Sequence, residues 1–118
     1  MAPEFVEVFV TAGTPAEARR LARALVERRL AACVNLHPVR SVYRWKGKVE
    51  EAREVALTAK TTRASFPALR AAILELHSYE VPCILALPVA EGHAPYLQWV
   101  RSSTTAPPLR RSRRRRKR

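Results

Sequence analysis

Apolar and polar positions along the chain change period several times, and each change marks an element. Phe5, Val6, Val8 and Val10 alternate with polar neighbours, which predicts a first strand ended by Ala12-Gly13. Thr14-Pro15-Ala16-Glu17 then reads as a helix start. The Thr14 side chain can accept from the Glu17 amide, the Glu17 carboxyl can reach back, and Pro15 stands where a missing donor costs nothing. Ala18, Leu21, Ala22, Leu25 and Val26 keep one apolar helical face, with Arg19, Arg20, Arg23, Glu27 and Arg28 facing water. Leu30 to Leu36 predicts a buried strand whose ladder His37-Pro38 interrupts, because proline offers no amide, and Val42, Tyr43 and Trp45 resume it. Past Gly47, Val55, Leu57 and Ala59 alternate with Glu54, Ala56, Thr58 and Lys60, the signature of a sheet with one wetter face. Phe66, Leu69, Ala72, Ile73 and Leu76 return to helical spacing. Val81 to Val89 predicts a short strand bounded by Pro82 and Pro88, and Tyr96, Leu97, Trp99 and Val100 a small closing helix.

Strand, helix, strand, strand, helix, strand, with one extra helix, is the order of an α+β domain of the split βαβ or ferredoxin-like type. Such a domain is an antiparallel sheet with both main helices on one face. In its usual strand order of 4-1-3-2, Cys33 and Cys83 fall at opposite edges, three spacings of about 4.8 Å apart, too far for an internal disulfide. The central feature is the hairpin from Ala31 to Thr62, turning at Lys46-Gly47. Its first arm, Cys33 to Trp45, would span roughly 40 Å at about 3.3 Å per residue, whereas a compact chain of this length has a radius of gyration of about 13 Å. The tip should therefore overhang its own domain. Tyr43 and Trp45 beside the turn would then be aromatic surface left in water, a cost that a partner subunit removes.

Composition changes this picture in one respect. The 118 residues, 47% of them hydrophobic, suit a single domain with a real core. No apolar run is long enough for a membrane span, and Met1 to Val10 carries Glu4 and Glu7 without a basic start and apolar run, so the expectation is a soluble, unexported chain without membrane contact. A net charge of +12 would suggest a nucleic-acid binder if it were spread over the fold. It is concentrated instead in Arg110, Arg111, Arg113, Arg114, Arg115, Arg116, Lys117 and Arg118, leaving 14 basic against 10 acidic residues elsewhere. The expected organisation is a domain over residues 1–103 and an arginine-rich, disordered tail over 104–118. That tail would contact nucleic acid or another polyanion only non-specifically, because it lacks aromatic residues for stacking.

Five strings, in order, resemble the CutA family of divalent-cation tolerance proteins and cover nearly all of residues 5 to 101. They are Glu27-Arg28-Arg29-Leu30-Ala31-Ala32-Cys33-Val34-Asn35-Leu36, Ser41-Val42-Tyr43-Arg44-Trp45-Lys46-Gly47-Lys48-Val49, Lys60-Thr61-Thr62, His77-Ser78-Tyr79-Glu80-Val81-Pro82 and Tyr96-Leu97-Gln98-Trp99. The resemblance implies a ferredoxin-like protomer in a homotrimer shaped like the PII signalling proteins. It further implies a cytoplasmic location, a link to copper and other divalent metal ions, and no catalysed reaction. Some relatives place a cysteine near the end of the first strand and two histidines before the proline-tyrosine of the fourth string. Here those positions hold Val10 and Leu76, which leaves His77 alone, while Ser78 replaces the usual proline and Cys83 the usual glutamate.

The metal candidates are therefore His77 and Cys83, an imidazole and a soft thiol suited to copper or another divalent ion that folding itself does not require. His77, Tyr79, Glu80 and Lys60 form the expected inter-subunit cleft, with Tyr43 and Trp45 as trimer contacts. His37 and His93 read as surface loop residues. No nucleophile with its base and no glycine-rich phosphate loop is legible, since Gly13, Gly47 and Gly92 stand alone. A PII-like small-molecule signalling trimer and a polyanion contact through the tail are the alternative readings.

Overall fold

The computed structural model describes residues 3–105, so the basic cluster from Arg110 to Arg118 lies outside the described residues. The elements are β1 (Phe5–Ala12), α1 (Pro15–Glu27), β2 (Cys33–Trp45), β3 (Lys48–Thr62), a 3-10 turn (Arg63–Ser65), α2 (Phe66–Leu76), β4 (Ile84–Pro88) and α3 (Ala94–Ser103). The four strands form one antiparallel sheet in the order β2-β3-β1-β4. The fold is thus the ferredoxin-like α+β arrangement that the element order predicts.

Alternation decides which side chains go where. Val6, Val8 and Val10 on β1, paired through the register with Thr61, Ala59 and Leu57 on β3, point toward α1 and α2. There they meet Ala18, Leu21, Leu25, Leu69 and Ile73, and Leu21, Leu25, Leu57, Leu69 and Ile73 are all under 2% exposed. Burial of each such side chain is worth about 2 kcal/mol, so this layer is the main source of stability. Thr14 caps α1 by accepting from the Glu17 amide at 3.1 Å. The opposite sheet face carries Glu7, Phe9, Thr58, Leu85 and Leu87. At one end α3 closes over it, packing Val100 and Leu97 with Phe5, Ala32 and Val89; across the rest, Leu85 and Leu87 remain 56% and 46% exposed.

The hairpin is continuous. Lys46 and Gly47, both at positive φ (50° and 82°), make the two-residue turn whose twist matches the flanking strands. Pro38 does not break the ladder, contrary to expectation; it stays in register opposite Val55 because β2 is an edge strand and a missing amide can face outward. His37 therefore sits on a strand rather than in a loop, and His93 precedes α3 as its N-cap residue. Leu36 and Val26, expected among the buried positions, are 40% and 42% exposed. The arms run past the end of β1, whose last pair is Ala12 with Val55, so the pairs from Val39–Glu54 to Trp45–Lys48 overhang the four-stranded part. The radius of gyration is 15.5 Å, against about 13 Å for a compact chain of this length. Thr104 and Thr105, placed with the tail by the sequence, remain tied to the domain: the Thr105 amide donates to the Arg29 carbonyl at 3.0 Å and Arg29 Nε to Thr105 Oγ1 at 2.9 Å.

Candidate functional site

The ends of β1 and α2 and the start of α1 meet at a buried polar cluster. Glu17, expected to fold back on its own helix start, turns inward instead. Its side chain is 8% exposed and takes the Ser78 amide at 2.7 Å and Ser78 Oγ at 3.1 Å. Burial pulls the Glu17 carboxyl up, but the two Ser78 bonds, the nearby His77 ring and the Gly13 amide outweigh it and hold the group below its ordinary value. Both donors of Ser78 are thus used.

His77 follows α2, and its side chain is fully buried. Nε2 lies 2.8 Å from the Thr11 carbonyl, which can only accept, so this nitrogen carries the proton. Nδ1 then accepts the Tyr79 amide at 3.0 Å. With both nitrogens engaged by backbone, no ring lone pair is free, and a metal ion at His77 would first have to displace one of these bonds. Val10 belongs to the core and Leu76 packs against it, so both side chains serve packing.

Beyond His77 the loop presents Tyr79, whose ring packs on the imidazole with centroids 4.6 Å apart. A Cβ added at Gly13 would meet the Tyr79 hydroxyl at 3.2 Å, so the tyrosine lies across this turn only because glycine is there. The hydroxyl donates to Glu54 Oε2 at 2.6 Å. Burial first, and then the Glu54 carboxylate, push the Tyr79 phenol far above its ordinary value; the same two causes push the Cys83 thiol up. Cys83 is thus held as the neutral thiol, the form that binds metal poorly. Replacing Tyr79 with phenylalanine should cost about 2 kcal/mol in chemical denaturation, because it strands the buried Glu54 carboxylate. A change below about 0.5 kcal/mol would mean that water replaces the hydroxyl.

These groups border a cavity of about 530 Å³ between the overhanging hairpin and the loop before β4. Its walls are Phe9 and Thr11 from β1, Ser41, Tyr43 and Trp45 from β2, Glu54 from β3, and Tyr79, Glu80, Val81 and Cys83 from the loop. The structure therefore gathers Tyr43, Trp45, Tyr79, Glu80 and Cys83 in one place. His77 stands behind Tyr79 rather than on the cavity wall. Lys60 is not brought there within a protomer. It lies six residues along β3 from Glu54, roughly 20 Å away at strand rise, beside Glu7 at 3.8 Å and donating to Asn35 Oδ1. Among the described residues no group of three or more His, Cys, Asp and Glu side chains is placed to hold a metal ion. Glu54 and Glu17 are the residues that sequence reasoning did not single out. For Glu17 the available signal was an acid at a capping position that also faces the core; Glu54, following Glu50, Glu51 and Arg53 on β3, carried none.

A ferredoxin-like protomer with an overhanging aromatic hairpin and an exposed apolar sheet face defines a protein built around a small α+β domain with surface left to cover. The chain belongs to the CutA1 divalent ion tolerance protein family, whose match spans residues 6–103. It is 50% identical over 98 residues to the divalent-cation tolerance protein CutA of Thermus thermophilus, covering 82% of this chain and 95% of that protein. It is 52% identical over 97 residues to the human protein CutA, covering 81% of this chain but 54% of the relative, so it spans about half the length of that protein. A solved structure of the divalent cation tolerance protein from Thermus thermophilus superposes with a TM-score of 0.84 at 48% identity, covering 86% of this chain and 99% of that one.

Proposed function

We propose that the chain acts as a cytoplasmic homotrimer of the divalent-cation tolerance type, engaging copper or another divalent metal ion without catalysing a reaction. The observation that carries this reading is the family match over residues 6–103, joined to a sheet face that leaves Leu85 and Leu87 half in water. An apolar face of this kind, continuous with an aromatic hairpin, suits subunit contact, with Tyr43 and Trp45 at its edge. Cys33 and Cys83 are both free thiols, which fits a reducing compartment. Among the described residues no helix is long and apolar enough to cross a membrane.

The test of the metal reading is titration calorimetry with Cu(II), Cu(I) and Zn(II) on the parent, His77→Ala and Cys83→Ala. Saturable binding that weakens at least tenfold in Cys83→Ala would support a thiol-based site. Since both His77 nitrogens are occupied, His77→Ala should change stability more than metal affinity. Identical isotherms in all three proteins would remove both residues from any site. A second reading, a PII-like trimer responding to a small molecule, is favoured by the 530 Å³ cavity, which is within the size range of small-ligand pockets.

A further inference from the structure

We propose that the cavity beside the hairpin is a receptor for one organic ammonium or guanidinium group, with the Glu54 carboxylate as its counter-ion and Tyr43, Trp45 and Tyr79 as its aromatic wall. Glu54 is 8% exposed. Its one hydrogen-bond partner among the described residues is the neutral Tyr79 hydroxyl at 2.6 Å, and no described Lys, Arg or His pairs with it. A carboxylate buried in this way is costly unless a cation reaches it. Glu80 adds a second acid to the wall, and among the described residues no basic side chain lines the cavity.

The rest of the lining selects for an organic cation. Phe9, Tyr43, Trp45, Tyr79 and Val81 give apolar and aromatic surface, and the faces of tryptophan and tyrosine attract cations lying within about 6 Å of the ring. Trp45 already shows this property toward its own neighbour, since the Lys46 ammonium lies 5.7 Å from its ring centroid. Lys46 makes no ion pair with Glu54, so the carboxylate is left for another cation. A strongly hydrated divalent metal ion would want several oxygen or nitrogen donors, whereas a weakly hydrated organic cation is satisfied by one carboxylate and π faces. The 530 Å³ volume leaves space for an apolar body attached to the charged group. The charged group has two possible sources, a free amine or guanidine compound, or a Lys or Arg side chain of a second copy, because the cavity opens beside the face proposed for subunit contact. This site stands on Glu54 and does not depend on the metal reading, whose variants are His77 and Cys83.

The test uses the full chain in its native assembly, with benzyltrimethylammonium chloride as probe, benzyl alcohol as the neutral control and sodium chloride holding ionic strength constant. For a free cation, calorimetry should give a saturable isotherm with the probe and none with the alcohol. Glu54→Gln, nearly isosteric and still able to accept from Tyr79, should weaken that binding at least tenfold, and Trp45→Leu, half-exposed in the protomer and checked by light scattering to keep the parent's assembly, should weaken it three- to tenfold. For a side chain of a second copy, the parent takes up no probe, and Glu54→Gln instead raises the dissociation concentration of the assembly at least tenfold by light scattering. Circular dichroism of each variant confirms folding. The proposal is overturned if probe binding is equal in the parent and Glu54→Gln, or if no probe binds and dissociation is unchanged by the substitution.

Discussion

Leu87→Asp is expected to reduce the scattering mass of the protein from the three chains proposed for the parent to one at micromolar concentration. Leu87 lies on β4, opposite Glu7 in the register, and shares its sheet face with Phe9, Thr58 and Leu85. It is 46% exposed in the isolated protomer and takes no part in the core, which is built on the other face from Val6, Val8 and Val10. The substitution therefore leaves intrachain packing nearly untouched, and the monomer should keep its circular dichroism spectrum. What changes is the proposed contact. An aspartate enclosed between subunits without a partner costs several kcal/mol, and even about 3 kcal/mol weakens each single contact roughly a hundredfold. The exposed pair Leu85 and Leu87 and the hairpin overhang make the same demand for cover from two separate parts of the chain. If Leu87→Asp retains the three-chain mass, the open sheet face is not the subunit contact and the hairpin alone would have to supply it.

The parts of this fold that were legible in the sequence are those governed by local period and local chemistry. Alternation along β1 and β3, the Thr14 cap and the Lys46-Gly47 turn each depend on residues a few positions apart, and each stands where the pattern places it. Pro38 was misread because its effect depends on whether β2 is central or at an edge, which is a property of the whole sheet. The site was less legible for the same reason. Glu17 carries every mark of a capping residue, yet its partners come from Ser78, 61 positions away. Glu54 looks like one polar position on a wet face until the Tyr79 hydroxyl arrives from the other side of α2. His77 is a metal candidate by type alone; what occupies its Nε2 proton and its Nδ1 lone pair is the backbone at Thr11 and Tyr79, which no spacing rule connects. Lys60, expected in a cleft between subunits, lies toward the other end of β3 from Glu54 within one protomer, so only a neighbouring copy could bring it to that cleft.

Among single substitutions within the protomer, Glu17→Ala should be among the most destabilising, by about 3 kcal/mol in chemical denaturation. The carboxylate ties α1 to the loop after α2 through the Ser78 amide and hydroxyl and sits 3.6 Å from His77 Nδ1. Removing it leaves the amide of Ser78 without its acceptor and opens a small polar void, the situation in which a buried charged network costs the most. Ser78→Ala keeps the amide donor and should cost about 1 kcal/mol, so the ratio of the two effects separates loss of the carboxylate from loss of one hydroxyl. The pH dependence carries the sign. The folded carboxyl is held below its ordinary value of 4.5, so the unfolded chain binds a proton more readily than the folded one. The stabilisation is then complete above about pH 4.5 and is lost as pH falls through the folded value. Below pH 5 the parent should therefore lose stability more steeply than Glu17→Ala, and the two denaturation curves should converge. A Glu17→Ala protein within 1 kcal/mol of the parent at pH 7, or curves that stay parallel on acidification, would mean that Ser78 and Gly13 find water in place of the carboxylate and that this cluster does not anchor the loop carrying Tyr79.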